Sequence, residues 1–157
     1  MLSKYLSYKE ATKSVTAIKK GIINIPNKQE LANVTLWANH IFDACREFVG
    51  APLGVHTVYR CKELNTAVDG SDTSQHMALR GAAGDIDCDI YDNGTNGKLF
   101  KFILNNLDFD QLIWEYGNEE NPDWVHVSYV SAKNNRKEVI VAYKDLNGKT
   151  KYKLYEK

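Results

Sequence analysis

The stretch QLIWEYGNEENPDWVHVSY, residues 111–129, decides the fold. Two runs rich in β-branched and aromatic residues, Gln111–Tyr116 and Trp124–Tyr129, flank a polar loop holding Gly117 and Asn121-Pro122-Asp123. That pattern reads as two strands joined by a loop. In the second strand, side-chain alternation sets Trp124, His126 and Ser128 on one face and Val125, Val127 and Tyr129 on the other. A histidine on the polar face of a strand expected to be central calls for a partner. If the two strands pair, Glu115 and His126 face the same pocket.

Downstream, Val139–Tyr143 and Lys151–Tyr155 form a final hairpin pattern with Asn147-Gly148 as its turn, the dipeptide that a two-residue type I′ turn favours. Upstream, Asp85–Tyr91 reads as a strand, Lys98–Leu107 as a helix, and residues 69–84 as a loop rich in small and polar residues. Val55, Thr57 and Tyr59 suggest a short strand, followed by a helical turn over Lys62–Val68. The strongest helix begins at Asn27, where Glu30 completes a capping box. Behind it Leu31, Val34, Ala38, Ile41, Phe42, Cys45, Phe48 and Val49 recur at helical spacing, and Gly50 with Pro52 ends the element. A shorter helix over Tyr8–Lys20 stops at Gly21. Helices first and strands later predict an α+β class, with a small antiparallel sheet carrying helices and one cleft.

A length of 157 residues suits one domain with its own core. The 20 basic and 20 acidic residues cancel, and no Lys/Arg stripe replaces the missing net charge, which argues against a nucleic-acid binder. Cys45, Cys61 and Cys88 form no CxxC pair and are an odd number, so reduced thiols are expected. No signal-peptide pattern opens the sequence and no apolar run is long enough to span a membrane. A monomer made in the cytoplasm is expected, carried to any external substrate by another agent.

Of the four histidines, His40 lies beside the core stripe of the long helix and reads as structural or surface, and His56 as a strand residue that lines the cleft or is plain strand. His76 sits in Ser74-Gln75-His76, close before Gly81-Ala82-Ala83-Gly84-Asp85, where small residues let the backbone pack closely. His76, Asp85 and His126 compose a set, two imidazoles and one carboxylate, that holds catalytic zinc while leaving a position open. There is no HExxH, and spacing alone does not select this set.

The ordered motifs do more. Ser74-x-His76, Gly81-x-Ala83-x-Asp85 and Trp124-x-His126 resemble the zinc peptidase family of D-Ala-D-Ala carboxypeptidases and L-alanyl-D-glutamate endopeptidases, above all its small phage-type members. The likeness extends through Tyr59-Arg60, Leu64-Asn65, Gly70-Ser71 and Phe109-Asp110-Gln111-Leu112-Ile113, and covers about residues 5–130, leaving the hairpin at 137–156 outside it.

The resemblance implies a Zn²⁺ peptidase acting on peptidoglycan stem peptides, with His76, Asp85 and His126 as metal ligands and Arg60 facing the substrate carbonyl or carboxylate. It offers two candidates for the general base, Glu115 at the end of the Gln-Leu-Ile-x-Glu strand and Asp123 three residues before His126, with Glu115 preferred. It also implies a phage-type release route to the wall. Eight residues separate His76 from Asp85 where the family usually has six, so Met77–Arg80 read as an insertion and Asp87 stands as the fallback ligand. That same departure supports the competing reading, a non-catalytic virion or wall-binding protein that keeps the fold.

Overall fold

The computed structural model describes residues 1–92 and 94–156. Its first half is helical. Ser7 caps α1 (Tyr8–Thr12), and the Ser14 side chain accepts from Ala17 N to start α2 (Val15–Lys20). The single helix expected over Tyr8–Lys20 is therefore two, because Lys13 and Ser14 adopt extended backbone and Ser14 makes a new cap. The long helix starts as expected. Asn27 Oδ1 accepts from Glu30 N at 3.0 Å, and Asn27 N donates to Glu30 Oε2 at 2.8 Å. α3 (Lys28–Trp37) runs through a π-helical turn at Ala38–Phe42 into α4 (Asp43–Val49), and Gly50 ends it in the left-handed region. Val34, Trp37, Ala38, Ile41, Phe42 and Cys45 are its buried stripe.

The remaining elements are β1 (Gly54–Thr57), α5 (Lys62–Ala67), β2 (Ala82–Asp87), α6 (Asn96–Asn106), β3 (Gln111–Glu115), β4 (Trp124–Tyr129), β5 (Glu138–Lys144) and β6 (Thr150–Leu154). The class is α+β, with one six-stranded sheet in the order β1-β2-β4-β3-β5-β6. Four of the strand pairings are antiparallel, but β5 lies parallel to β3, so the expected all-antiparallel sheet is a mixed one. The connection from β4 to β5 passes over β3 to its free edge. No helix among the described residues is long and apolar enough to cross a membrane.

The sheet has two unlike faces. Ala82, Ile86, Leu112, Val125 and Val127 pack under the helices in one core, whereas Asp85, Glu115, His126 and Ser128 alternate onto the other side. β2 begins three residues earlier than the composition suggested and ends at Asp87, with Asp89–Tyr91 forming a 3₁₀ turn. The small residues that resembled a loop make room for a tryptophan. A Cβ on Gly84 would lie 2.2 Å from the Trp37 ring, whose Nε1 donates to Val127 O at 2.9 Å.

Trp37 is fully buried and cannot retreat without losing that bond. Gly84→Ala should therefore lower the unfolding free energy by roughly 2–4 kcal/mol. Urea unfolding measures this, and an unchanged midpoint would show that the ring has another place to go.

Candidate active site

Three elements deliver the His–Asp–His cluster. His76 sits in a 3₁₀ turn at Gln75–Met77, Asp85 in β2, and His126 directly opposite Asp85 in β4. The extra residues between the motifs leave this convergence intact. Ala78 takes a positive φ of 56° and Leu79 and Arg80 face outward, so the added length projects from the surface. Gly81, at φ 82°, then returns the chain against the backbone of β4, where a Cβ would lie 2.3 Å from Tyr129 O.

One ring nitrogen of each histidine and one carboxylate oxygen of Asp85 lie within 4.8 Å of one another. His76 Nδ1 is 2.9 Å from Val58 O, and because a carbonyl only accepts, Nδ1 carries the proton. Nε2 is left with its lone pair, 3.3 Å from Asp85 Oδ2. His126 Nδ1 lies 2.9 Å from Asp85 Oδ1, and the two rings meet edge to face at 5.0 Å. Burial works against charge on Asp85, but attraction to His76 and hydrogen bonds from His126 and His76 overcome it and hold the carboxyl well below the usual range. A fixed tautomer and an ionised carboxylate suit a divalent metal, and the donor set is one that zinc accepts.

The cluster opens into a cleft of about 1260 Å³ that runs across the sheet face. Glu115 faces it from β3, opposite Trp124 and two pairs along from Ile113–His126. It is buried, which pushes its carboxyl up to about 7, with His126 and Lys144 opposing and Asp85 adding to the rise. On the other side Arg60 lines the cleft and donates from Nη2 to Ser74 Oγ at 3.1 Å. Its Nε is buried with no hydrogen-bond partner among the described residues. Burial also works against its charge, countered by Asp85. A guanidinium so placed has donors left for an anion.

Other residues singled out from the sequence lie elsewhere. Asp123 is exposed at the start of β4 and lines a separate hollow beside Trp114 and Tyr143, because it falls on the opposite side of the strand alternation from Trp124. The structure does not bring it to the cluster. Asp87 binds His56 Nε2 at 2.9 Å and Asn96 Nδ2 at 3.0 Å, so the fallback ligand is engaged away from His76. His40 stacks on Tyr129 and donates to Leu36 O.

Two features were missed. Asp110, almost fully buried, accepts from Arg136 Nε and Nη2, from Gln75 Nε2 and from Ser128 Oγ. It thereby ties the residue before His76 to the strand bearing His126; burial works against its charge, but hydrogen bonds from Arg136 and Gln75 with the attraction of Arg136 together lower its pKa. The second is the place of the terminal hairpin, which was expected as an element but not as part of the cleft that its Ile140, Tyr152 and Leu154 line. Exposed apolar side chains alternating with lysines along β6 were the available signal.

An α+β sheet whose open face gathers two imidazoles and a carboxylate at the floor of a cleft has a donor set that could hold a divalent ion. The chain belongs to the Peptidase M15 family, whose model matches residues 4–128. That membership makes it a hydrolase of peptide substrates. No curated protein matches the chain.

Proposed function

We propose that this protein is a zinc-dependent peptidase that hydrolyses an amide bond in peptidoglycan stem peptides, as an endolysin-type endopeptidase or a D,D-carboxypeptidase. The convergence of His76, Asp85 and His126 in one cleft carries the reading. These three would hold the ion, each presenting one donor atom, with Val58 O fixing the tautomer of His76. When bound, zinc supplies Lewis acidity that polarises a carbonyl and makes water a nucleophile near neutral pH.

The protein's own groups account for the rest. Glu115 takes a proton from the attacking water and returns it to the leaving amine, a role suited to a carboxyl poised at about 7. Arg60, which lines the cleft, offers its guanidinium charge to the oxygen of the carbonyl as negative charge develops there, or to a substrate carboxylate. Asp110 holds Gln75 and Ser128 in place, and so steadies the turn and the strand that carry the two histidines.

Metal analysis with wall digestion tests this. Purified protein should hold about one zinc per chain, and digestion of sacculi should release a new amine terminus at D-Glu or D-Ala, read from product masses. A protein that takes up no metal after reconstitution and releases no product would return the chain to the wall-binding reading.

A further inference from the structure

The cleft continues past the residues that the family match covers. Strand register shows how. His126 pairs with Ile113, Ile113 with Ile140, and Ile140 with Leu154, forming one row across four strands. The adjacent row runs Trp124, Glu115, Ala142, Tyr152. At one strand spacing each, Leu154 and Tyr152 stand roughly 14 Å from β4. Ala142 is small and fully buried, so Tyr152 on its far side faces Glu115 with no large residue between.

The two ends of the cleft differ in chemistry. Beyond β2 lie Arg60 and the exposed Arg80, both lining the cleft. The hairpin end presents Ile140, Tyr152 and Leu154, with Tyr152 58% and Leu154 74% exposed. The cations nearest this end are turned to other partners: Lys144 donates to Thr150 Oγ1 and lies over the Tyr116 ring, and Lys153 lies over Tyr143. Arg136 is held by Asp110 and Glu138. One end therefore suits carboxylates. The other suits an uncharged unit with an apolar face and polar edges, for which an exposed tyrosine ring beside two aliphatic side chains is a fitting floor.

We propose that the β5–β6 hairpin is a sugar-binding platform. It holds the N-acetylated sugar that bears the stem peptide, and so fixes the substrate with its glycan side on the hairpin and its carboxylate-rich side toward Arg60. The assignment rests on the peptidase reading above and adds a direction to it. Ile140, Tyr152 and Leu154 are specificity residues in this scheme, and they lie outside the matched segment.

The test compares two substrates on the full zinc-loaded chain: the free stem peptide, and the same peptide joined to the N-acetylglucosaminyl-N-acetylmuramoyl disaccharide. For the wild type, kcat/KM should favour the disaccharide-linked form. In Tyr152→Ala the ratio of the two kcat/KM values should fall about tenfold, through KM, whereas Tyr152→Phe should retain it. A ratio unchanged by Tyr152→Ala overturns the platform.

A second readout separates this proposal from the peptidase reading. Disaccharide without peptide, titrated into the protein, should shift the methyl signals of Ile140 and Leu154 in NMR spectra, and Tyr152→Ala should abolish the shifts. Shifts without hydrolysis of either substrate would retain the platform and sink the peptidase. Hydrolysis without shifts at millimolar disaccharide would do the reverse.

Discussion

His126→Ala should yield a folded protein that holds no zinc and has no measurable peptidase activity. The ring contributes one of the three candidate donors that converge among the described residues, and a site reduced to His76 and Asp85 loses both affinity and the geometry that leaves a position for substrate. Zinc content should drop from about one per chain to background, and activity by at least roughly a thousandfold. Folding should survive, because the ring lies on the cleft face and takes no part in the hydrophobic core. His76→Ala should lose the same functions. Mass spectrometry of the metal, beside a circular dichroism spectrum, distinguishes loss of the site from loss of the fold. A variant that keeps a full complement of zinc would remove His126 from the ligand set.

Glu115→Gln should retain zinc and lose turnover, with kcat falling roughly 10²- to 10⁴-fold and KM changing little. An amide has nearly the shape of the carboxylate and cannot take the proton. Asp123→Asn is the matched control and should stay active, since Asp123 is exposed in a different hollow. The reverse pattern would exchange the roles of the two acids.

The same substitution carries a pH signature in the metal-free protein. Burial raises Glu115 from 4.5 in the unfolded chain to about 7 in the fold. Below 4.5 both states are protonated and the residue has no effect on stability. Between 4.5 and 7 the folded state binds more protons than the unfolded, so stability falls as pH rises, and above 7 the deficit is constant. Glutamine has no charge to desolvate. Metal-free Glu115→Gln should therefore match the wild type near pH 4 and exceed it by about 1–3 kcal/mol near pH 8. A difference independent of pH would show that Glu115 is not held in this way.

Much of the fold was legible because local chemistry and tertiary need agree. Asn27 and Glu30 form a capping box in sequence and in space, and the alternation in Trp124–Tyr129 matches the two faces of β4. Where they conflict, the sequence misleads. Ala82-Ala83-Gly84 has loop composition, yet it lies in β2, paired on both sides, where Trp37 leaves no space for a side chain at position 84. Asn147-Gly148 suggests a two-residue turn, but Asp145 N bonds to Lys149 O and Gly148 alone takes a positive φ, making a three-residue loop. The parallel seating of β5 on β3 has no local signal at all, since it depends on which edge the returning chain meets.

The site shows the same division. His76, Asp85 and His126 were singled out through motifs, and Glu115 through the Gln-Leu-Ile-x-Glu strand end of the resemblance, with the pairing of β3 and β4 setting it on the face of His126. Asp110 was read only as part of the Phe109–Ile113 motif of the resemblance, with no role, because a buried carboxylate that binds three other segments is visible only once they converge.

The strand order has one more consequence, for motion. Sheets open from their rims, and the rims here are β1 and β6. Asp85 and His126 belong to β2 and β4, each flanked by a strand on both sides, so rim fraying reaches their amides last. Tyr152 and Leu154, on the outermost strand, sit where the backbone yields most easily. The proposed metal ligands and the proposed platform thus belong to regions of different stiffness, an interior that stays registered and a margin that frays first.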